Sequence, residues 1–113
     1  MSSSRLVIAR LHGLAGRSTE LRELCGRLAS MTAAEPGCRR FEVLELAEAG
    51  EIVLLSDWAS ERALREHYAT PHYRRYRDAV GELLARPSDV TVHHVSDTVH
   101  ALDPNPPDPA MFG

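Results

Sequence analysis

The sequence predicts an α+β domain of ferredoxin-like topology, βαββαβ with an antiparallel sheet, its second helical region broken at Pro71. Two observations carry the prediction. Segments of strand and helix period alternate in that order between residues 5 and 99. The first and third strand candidates are apolar on both parities, as the two middle strands of such a sheet should be.

Residues 5–12, RLVIARLH, read as the first strand, and Gly13 and Gly16 end it. A helix follows from Ser18, with Leu21, Leu24, Cys25, Leu28 and Met31 at helical spacing. Pro36-Gly37 stops that segment. A second strand covers about 38–47, Ala49-Gly50 make a turn, and EIVLLSDW is the third strand, 51–58. Ser60 is placed to cap a short helix over 61–69. Thr70 caps the next one, with Pro71 at its first position, and that helix is expected to run to about 85 with Tyr73, Tyr76, Val80 and Leu84 on one stripe. Pro87 closes it, and the last strand is expected over 89–99. Residues 1–100 form one domain, and 101–113, ALDPNPPDPAMFG, hold four of the seven prolines and read as an extended arm.

Val7, Ala9 and Leu11 oppose Leu6 and Ile8 in parity, and Ile52 and Leu54 oppose Val53 and Leu55. Helices cover one face of such a sheet, and the chain has no element left for the other. The expected cover is a second copy, sheet against sheet, in a homodimer with two-fold symmetry. Burying each Val, Leu or Ile in such a contact is worth roughly 1.5–3 kcal/mol before the cost of association.

Composition narrows the chemistry. The chain has 113 residues, 26% of them charged, and a formal net charge of −3, which predicts neither a nucleic-acid nor a membrane partner. It contains no lysine, which removes Schiff-base catalysis and a lysine-bearing phosphate loop. Asn105 is the only asparagine and glutamine is absent, so amide side chains cannot line a site in the body of the fold. Cys25 and Cys38 make no disulfide framework or zinc motif and read as free thiols. MSSSRLVIAR lacks the order of a signal peptide, which leads to the expectation of a cytoplasmic protein.

Certain stretches are recognisable. TAAEPGCRRFEV followed by LLSDWASERALREHYATPHY resembles the antibiotic biosynthesis monooxygenase (ABM) family of the dimeric α+β barrel superfamily. Thr32, Glu35, Pro36, Gly37 and Cys38 match its T-x-x-E-P-G-C pattern; Trp58 matches a tryptophan ending strand three; Ala63, Leu64, His67, Thr70, Pro71 and His72 match A-L-x-x-H-x-x-T-P-H. The resemblance spans about 5–99. It implies a barrel made from two sheets and a ligand cavity between sheet and helices in each subunit. Its members include cofactor-free oxygenases of anthrones and hydroquinones, and haem-degrading enzymes. Two departures matter. Ser56 stands where many relatives carry glutamate, and the first strand, IARLH, lacks the asparagine that haem-degrading members use. Haem degradation by the known route is therefore not expected.

Four of the six aromatic residues, Trp58, Tyr68, Tyr73 and Tyr76, lie between residues 57 and 76, with His67 and His72. An inward face so rich in half-polar groups suits a pocket for a flat ligand. An electron-rich phenolate can give an electron to O2 without metal or flavin, so the protein need only remove a proton and stabilise an anion. His67 or His72 is the expected base, since imidazole titrates near neutrality. Trp58 is expected to wall the pocket, and Tyr68, Tyr73 and Tyr76 to bind the substrate. Each also has a plain reading: Trp58 as core, His67 bonded to a backbone carbonyl, His72 supporting a helix start, the tyrosines in core or dimer contacts. No metal is expected, because His67 and His72 are five residues apart across a helix break, and adjacent His93 and His94 point to opposite sheet faces. His12, His93, His94 and His100 read as strand surface or interface, and Arg62, Arg65, Arg74, Arg75 and Arg77 as a solvated face, with the rim of an anionic-ligand site as the alternative. The functional expectation is a cofactor-independent oxygenase of a quinol, polycyclic phenol or anthrone. The rival is a non-catalytic dimeric ligand-binding or stress-related module, with haem binding third.

Overall fold

The computed structural model describes residues 3–46 and 50–100. Its elements are β1 (Ser4–His12), α1 (Ser18–Thr32), β2 (Cys38–Glu45), β3 (Glu51–Trp58), α2 (Glu61–Tyr68), α3 (Pro71–Val80), a 3-10 turn over Gly81–Leu83, and β4 (Asp89–Val95). The four strands form one sheet in the order β2-β3-β1-β4. All three pairings are antiparallel. The ferredoxin-like α+β fold is therefore present, with β1 and β3 in the middle.

Two boundaries differ from expectation. Helix α3 ends at Val80, because the chain is recruited by the end of β1: Leu14 N–H donates to the Leu83 carbonyl at 2.8 Å and Ala85 N–H to the His12 carbonyl at 2.8 Å. Leu84 is already extended and bridges to Gly13. Strand β4 stops at Val95, which pairs with Ser4, the first residue of β1; beyond it no partner strand remains among the described residues. The arm expected over 101–113 and Ala49 of the expected turn lie outside the described residues.

The core lies between sheet and helices. Val7, Ala9 and Leu11 are buried opposite Ser56, Leu54 and Ile52, in the strict alternation that a half-covered sheet requires. Helix α1 contributes Leu21, Leu24, Cys25 and Leu28, but the stripe continues through Thr32 and not Met31, which is 48% exposed. Position 32 is four residues on from Leu28 and stays on the inner face; position 31 turns outward. The Cys25 thiol is buried here and its pKa is pushed up to about 12 by desolvation, which makes it an inert core group. The other sheet face carries Leu6, Ile8, Val53 and Leu55 in its middle, half-buried, with Ile8 paired to Leu55 and Leu44 paired to Val53. No described helix is long and apolar enough to cross a membrane.

Candidate active site

The site begins with a turn. Glu35-Pro36-Gly37-Cys38 carries a Cys38 N–H to Glu35 carbonyl bond of 3.2 Å, with Gly37 at φ +83°. Proline second and a positive-φ glycine third are the residues of a type II turn. Gly37 is required for a further reason: a Cβ there would lie 2.6 Å from the Ala63 Cβ on α2. Its carbonyl accepts from Ala59 N–H at 2.8 Å, which ties the turn to the end of β3. Glu35 is thereby aimed at the helices and not at solvent.

Thr70 sets the other side. Its hydroxyl donates to the His67 carbonyl at 2.7 Å and accepts from Tyr73 N–H at 3.2 Å, so one side chain closes α2 and opens α3. Pro71 follows at the first helical position, where a missing N–H costs nothing. Ser60 caps α2 by accepting from Ala63 N–H at 3.1 Å. The helix break folds the chain so that His67 Nδ1 and His72 Nε2 both meet the same Glu35 oxygen, Oε2, each at 2.7 Å. Sequence spacing argued against these imidazoles acting together; the break brings them together. The side chains of His67, Glu35 and His72 are only 4%, 12% and 13% exposed.

Burial pushes the His67 pKa below the usual imidazole range, against the hydrogen bond and charge of Glu35, which raise it; His72 nearby lowers it a little further. At neutral pH His67 is then a neutral imidazole. Glu35 takes Nδ1–H, which leaves the Nε2 lone pair as the available base.

His67 lines a cavity of about 130 Å³ between sheet and helices. Val7, Ala9, Leu54 and Ser56 form its sheet side, and Leu64, Tyr68, Tyr73, Tyr76, Arg77 and Val80 its helix side. His67 lies 5.0 Å from the Tyr73 ring and 5.5 Å from the Tyr68 ring, and Tyr73 lies 5.8 Å from Tyr76. Burial raises the pKa of all three phenols, so they stay protonated at neutral pH and can donate hydrogen bonds.

Two expected site residues are not at the cavity. Trp58 is fully buried and lies behind His67, with ring centroids 4.5 Å apart. It packs against the imidazole, tilted by 36°, and is not among the cavity-lining residues, because the last inward position of β3 falls under α2, among Val7, Ala63 and Leu64. Its indole N–H and Thr32 Oγ1 are the buried side-chain polar atoms left unpartnered among the described residues. His72 opens instead onto a groove between α1 and α3, beside Met31, Arg75 and Tyr76.

Three further side chains contribute to the site. Glu35 was visible inside T-x-x-E-P-G-C, but its partners are 32 and 37 residues away. Ser56 is buried and faces the cavity where a glutamate was noted as missing. Arg77, read as solvated face with a ligand rim as the alternative, lines the cavity mouth with Ser88 and Val90. Arg62 and Arg65 do lie on the solvated side, paired with Glu66 and Glu61 at 3.1 and 2.7 Å. His93 and His94 are exposed, on opposite faces as expected.

Glu35, His67 and His72 also form the group of described residues that could hold a metal, with donor atoms within 4.8 Å of one another. The same ring nitrogens make the two hydrogen bonds to the carboxylate, so a cation there would take the place of both bonds.

Known proteins resemble this chain in sequence and fold. The family model described as antibiotic biosynthesis monooxygenase matches residues 4–79. "Putative monooxygenase Rv0793" of Mycobacterium tuberculosis is 45% identical over 92 residues, 81% of this chain and 91% of that protein. Its solved structure superimposes with a TM-score of 0.82 at 42% identity, covering 87% of this chain and all of that one. A structure described as a putative antibiotic biosynthesis monooxygenase from Deinococcus radiodurans has a TM-score of 0.80 at 23% identity, covering 88% and 99% of the two chains, and supports the fold alone. The matched segment holds β1, the Glu35 turn, β3 and both helices that carry the site, and the chain therefore belongs to the antibiotic biosynthesis monooxygenase family.

Proposed function

We propose that the protein is a monooxygenase that oxidises a phenol or quinol with O2, with His67 as general base. The observation that carries this reading is the buried Glu35–His67 pair at the wall of a tyrosine-lined cavity. Nε2 of His67 takes the substrate hydroxyl proton, Glu35 holds the ring and stabilises the resulting imidazolium, and the tyrosine hydroxyls donate to the phenolate. The phenolate gives one electron to O2, and the radical pair joins at the carbon para to the hydroxyl. Loss of that carbon's proton breaks the O–O bond. One oxygen stays as the quinone carbonyl and the other leaves as water. A phenol supplies all four electrons, so the step needs no external reductant. A quinol can instead yield two electrons and two protons, giving quinone and hydrogen peroxide.

The same reading takes the working form as a homodimer in the cytoplasm. Leu6, Ile8, Val53 and Leu55 on the helix-free sheet face suit a second copy, and two free thiols suit a reducing compartment. Oxygen-electrode measurements on chelator-treated protein with simple quinols are expected to show protein-dependent uptake. Uptake that appears only on adding a metal or flavin, or no uptake with any phenol that binds, would overturn the reading.

A further inference from the structure

We infer that the cavity takes a single-ring phenol or hydroquinone bearing an anionic substituent, with Arg77 reading that substituent at the mouth. This rests on the cavity being the substrate site proposed above. Volume sets the ring count. The cavity measures about 130 Å³. A dry cavity of roughly 150 Å³ is filled by one benzene molecule. A fused three-ring body exceeds this volume, and the inner wall is fixed, since Val7, Ala9, Leu54 and Ser56 are buried strand residues and Leu64 and Tyr76 are buried helix residues. Interiors packed at this density do not widen by a ring's volume without loss of core contacts.

Charge sets the substituent. Among the described residues, Arg77 is the only permanently charged side chain on the lining. On α3 it shares a face with Tyr73 and Val80, at helical offsets of four and three residues, and it lines the same cavity as Tyr76, so a ligand on the tyrosines meets its guanidinium. The innermost polar group, His67, is 3% exposed, while the Arg77 side chain is 60% exposed. The ring's hydroxyl is therefore served at the closed end and its charge at the open end. Among the described residues Arg77 pairs with exposed Asp78, at 3.7 Å, a contact that a ligand carboxylate can replace.

Calorimetric titration without oxygen tests this with four probes: 2,5-dihydroxybenzoate, 2,5-dihydroxyphenylacetate, hydroquinone and anthrone. At least one of the two acids is expected to bind about tenfold tighter than hydroquinone. Arg77→Gln, a change on an exposed side chain, is expected to remove that advantage, so that in the variant the acids bind no tighter than hydroquinone does. Anthrone binding as tightly as the single-ring compounds overturns the ring count. Failure of both acids to bind, or acid affinity unchanged in Arg77→Gln, overturns the substituent. An acid that binds through Arg77 yet consumes no oxygen once air is admitted leaves this assignment standing and removes the oxygenase reading instead.

Discussion

Two ends of one layer are built on opposite principles. Under α1, the space between sheet and helix is filled by Leu11, Leu21, Leu24, Cys25, Leu28 and Ile52, with Leu11, Leu21 and Cys25 fully buried. Under α2 and α3, the same sheet faces His67, Tyr68, Tyr73 and Tyr76 and leaves a cavity. The first end is close-packed and gains from every methylene it hides. The second holds a carboxylate and two imidazoles in near-complete burial, which costs stability unless each polar group is paired. The pairing is there, through Glu35. The difference teaches that the aliphatic end carries the fold, and that the aromatic end is held in shape by hydrogen bonds and two turns.

The sharpest way to break this contrast is a pair of truncations. His67→Ala is expected to lower turnover of any accepted phenol by about 10²–10⁴-fold, the usual contribution of a general base. Leu21→Ala is expected to cost about 2–5 kcal/mol of stability in a denaturant titration, with the turnover of the remaining folded protein unchanged. If the two variants lose stability equally and His67→Ala keeps its turnover, the aromatic end is only core.

A smaller effect sharpens the role of the carboxylate. Glu35→Gln keeps the side chain's shape and removes the charge that raises the His67 pKa against burial. In the parent, the acid limb of kcat/KM is expected below pH 6.5, because folding depresses the imidazole. In Glu35→Gln that limb is expected to move to still lower pH, with kcat reduced. The same depression ties stability to pH. The folded value lies below the unfolded one, so the unfolded chain binds more protons in between. The stability at stake is full above about pH 6.5 and is lost as pH falls through the folded value. Melting curves across that window should lose this component in His67→Ala.

The smallest expected effect is a control on the outer face. Arg62 and Glu66 pair at 3.1 Å with side chains 88% and 62% exposed. Arg62→Ala is expected to change stability by no more than about 0.5 kcal/mol, and turnover not at all. A larger loss would move functional weight away from the inner face.

Much of this was legible in the chain itself. Strand parity placed Val7, Ala9, Leu11, Ile52 and Leu54 on the covered face, and the helical period placed Leu21, Leu24, Cys25 and Leu28 against them. The inward set His67, Tyr68, Tyr73 and Tyr76 followed from position on two short helices. These were readable because they depend on the local repeat of the backbone alone. Thr70-Pro71 could be read as a stop and a start, but not as the hinge that sets the meeting of two imidazoles. The end of α3 at Val80 was not readable either, since it answers to hydrogen bonds from the far end of β1.

The sequence by itself determined the order of elements, the two middle strands, the caps and turns, and which helix faces look inward. Each of these is a property of neighbours along the chain, where period, proline and glycine act directly. Tertiary structure alone decided that Glu35 would join His67 and His72 on one oxygen, that Trp58 would stand behind the imidazole, and that Arg77 would stand at the cavity mouth. Those outcomes depend on the directions of side chains carried by separate segments. Such directions converge only once the helices have settled on the sheet.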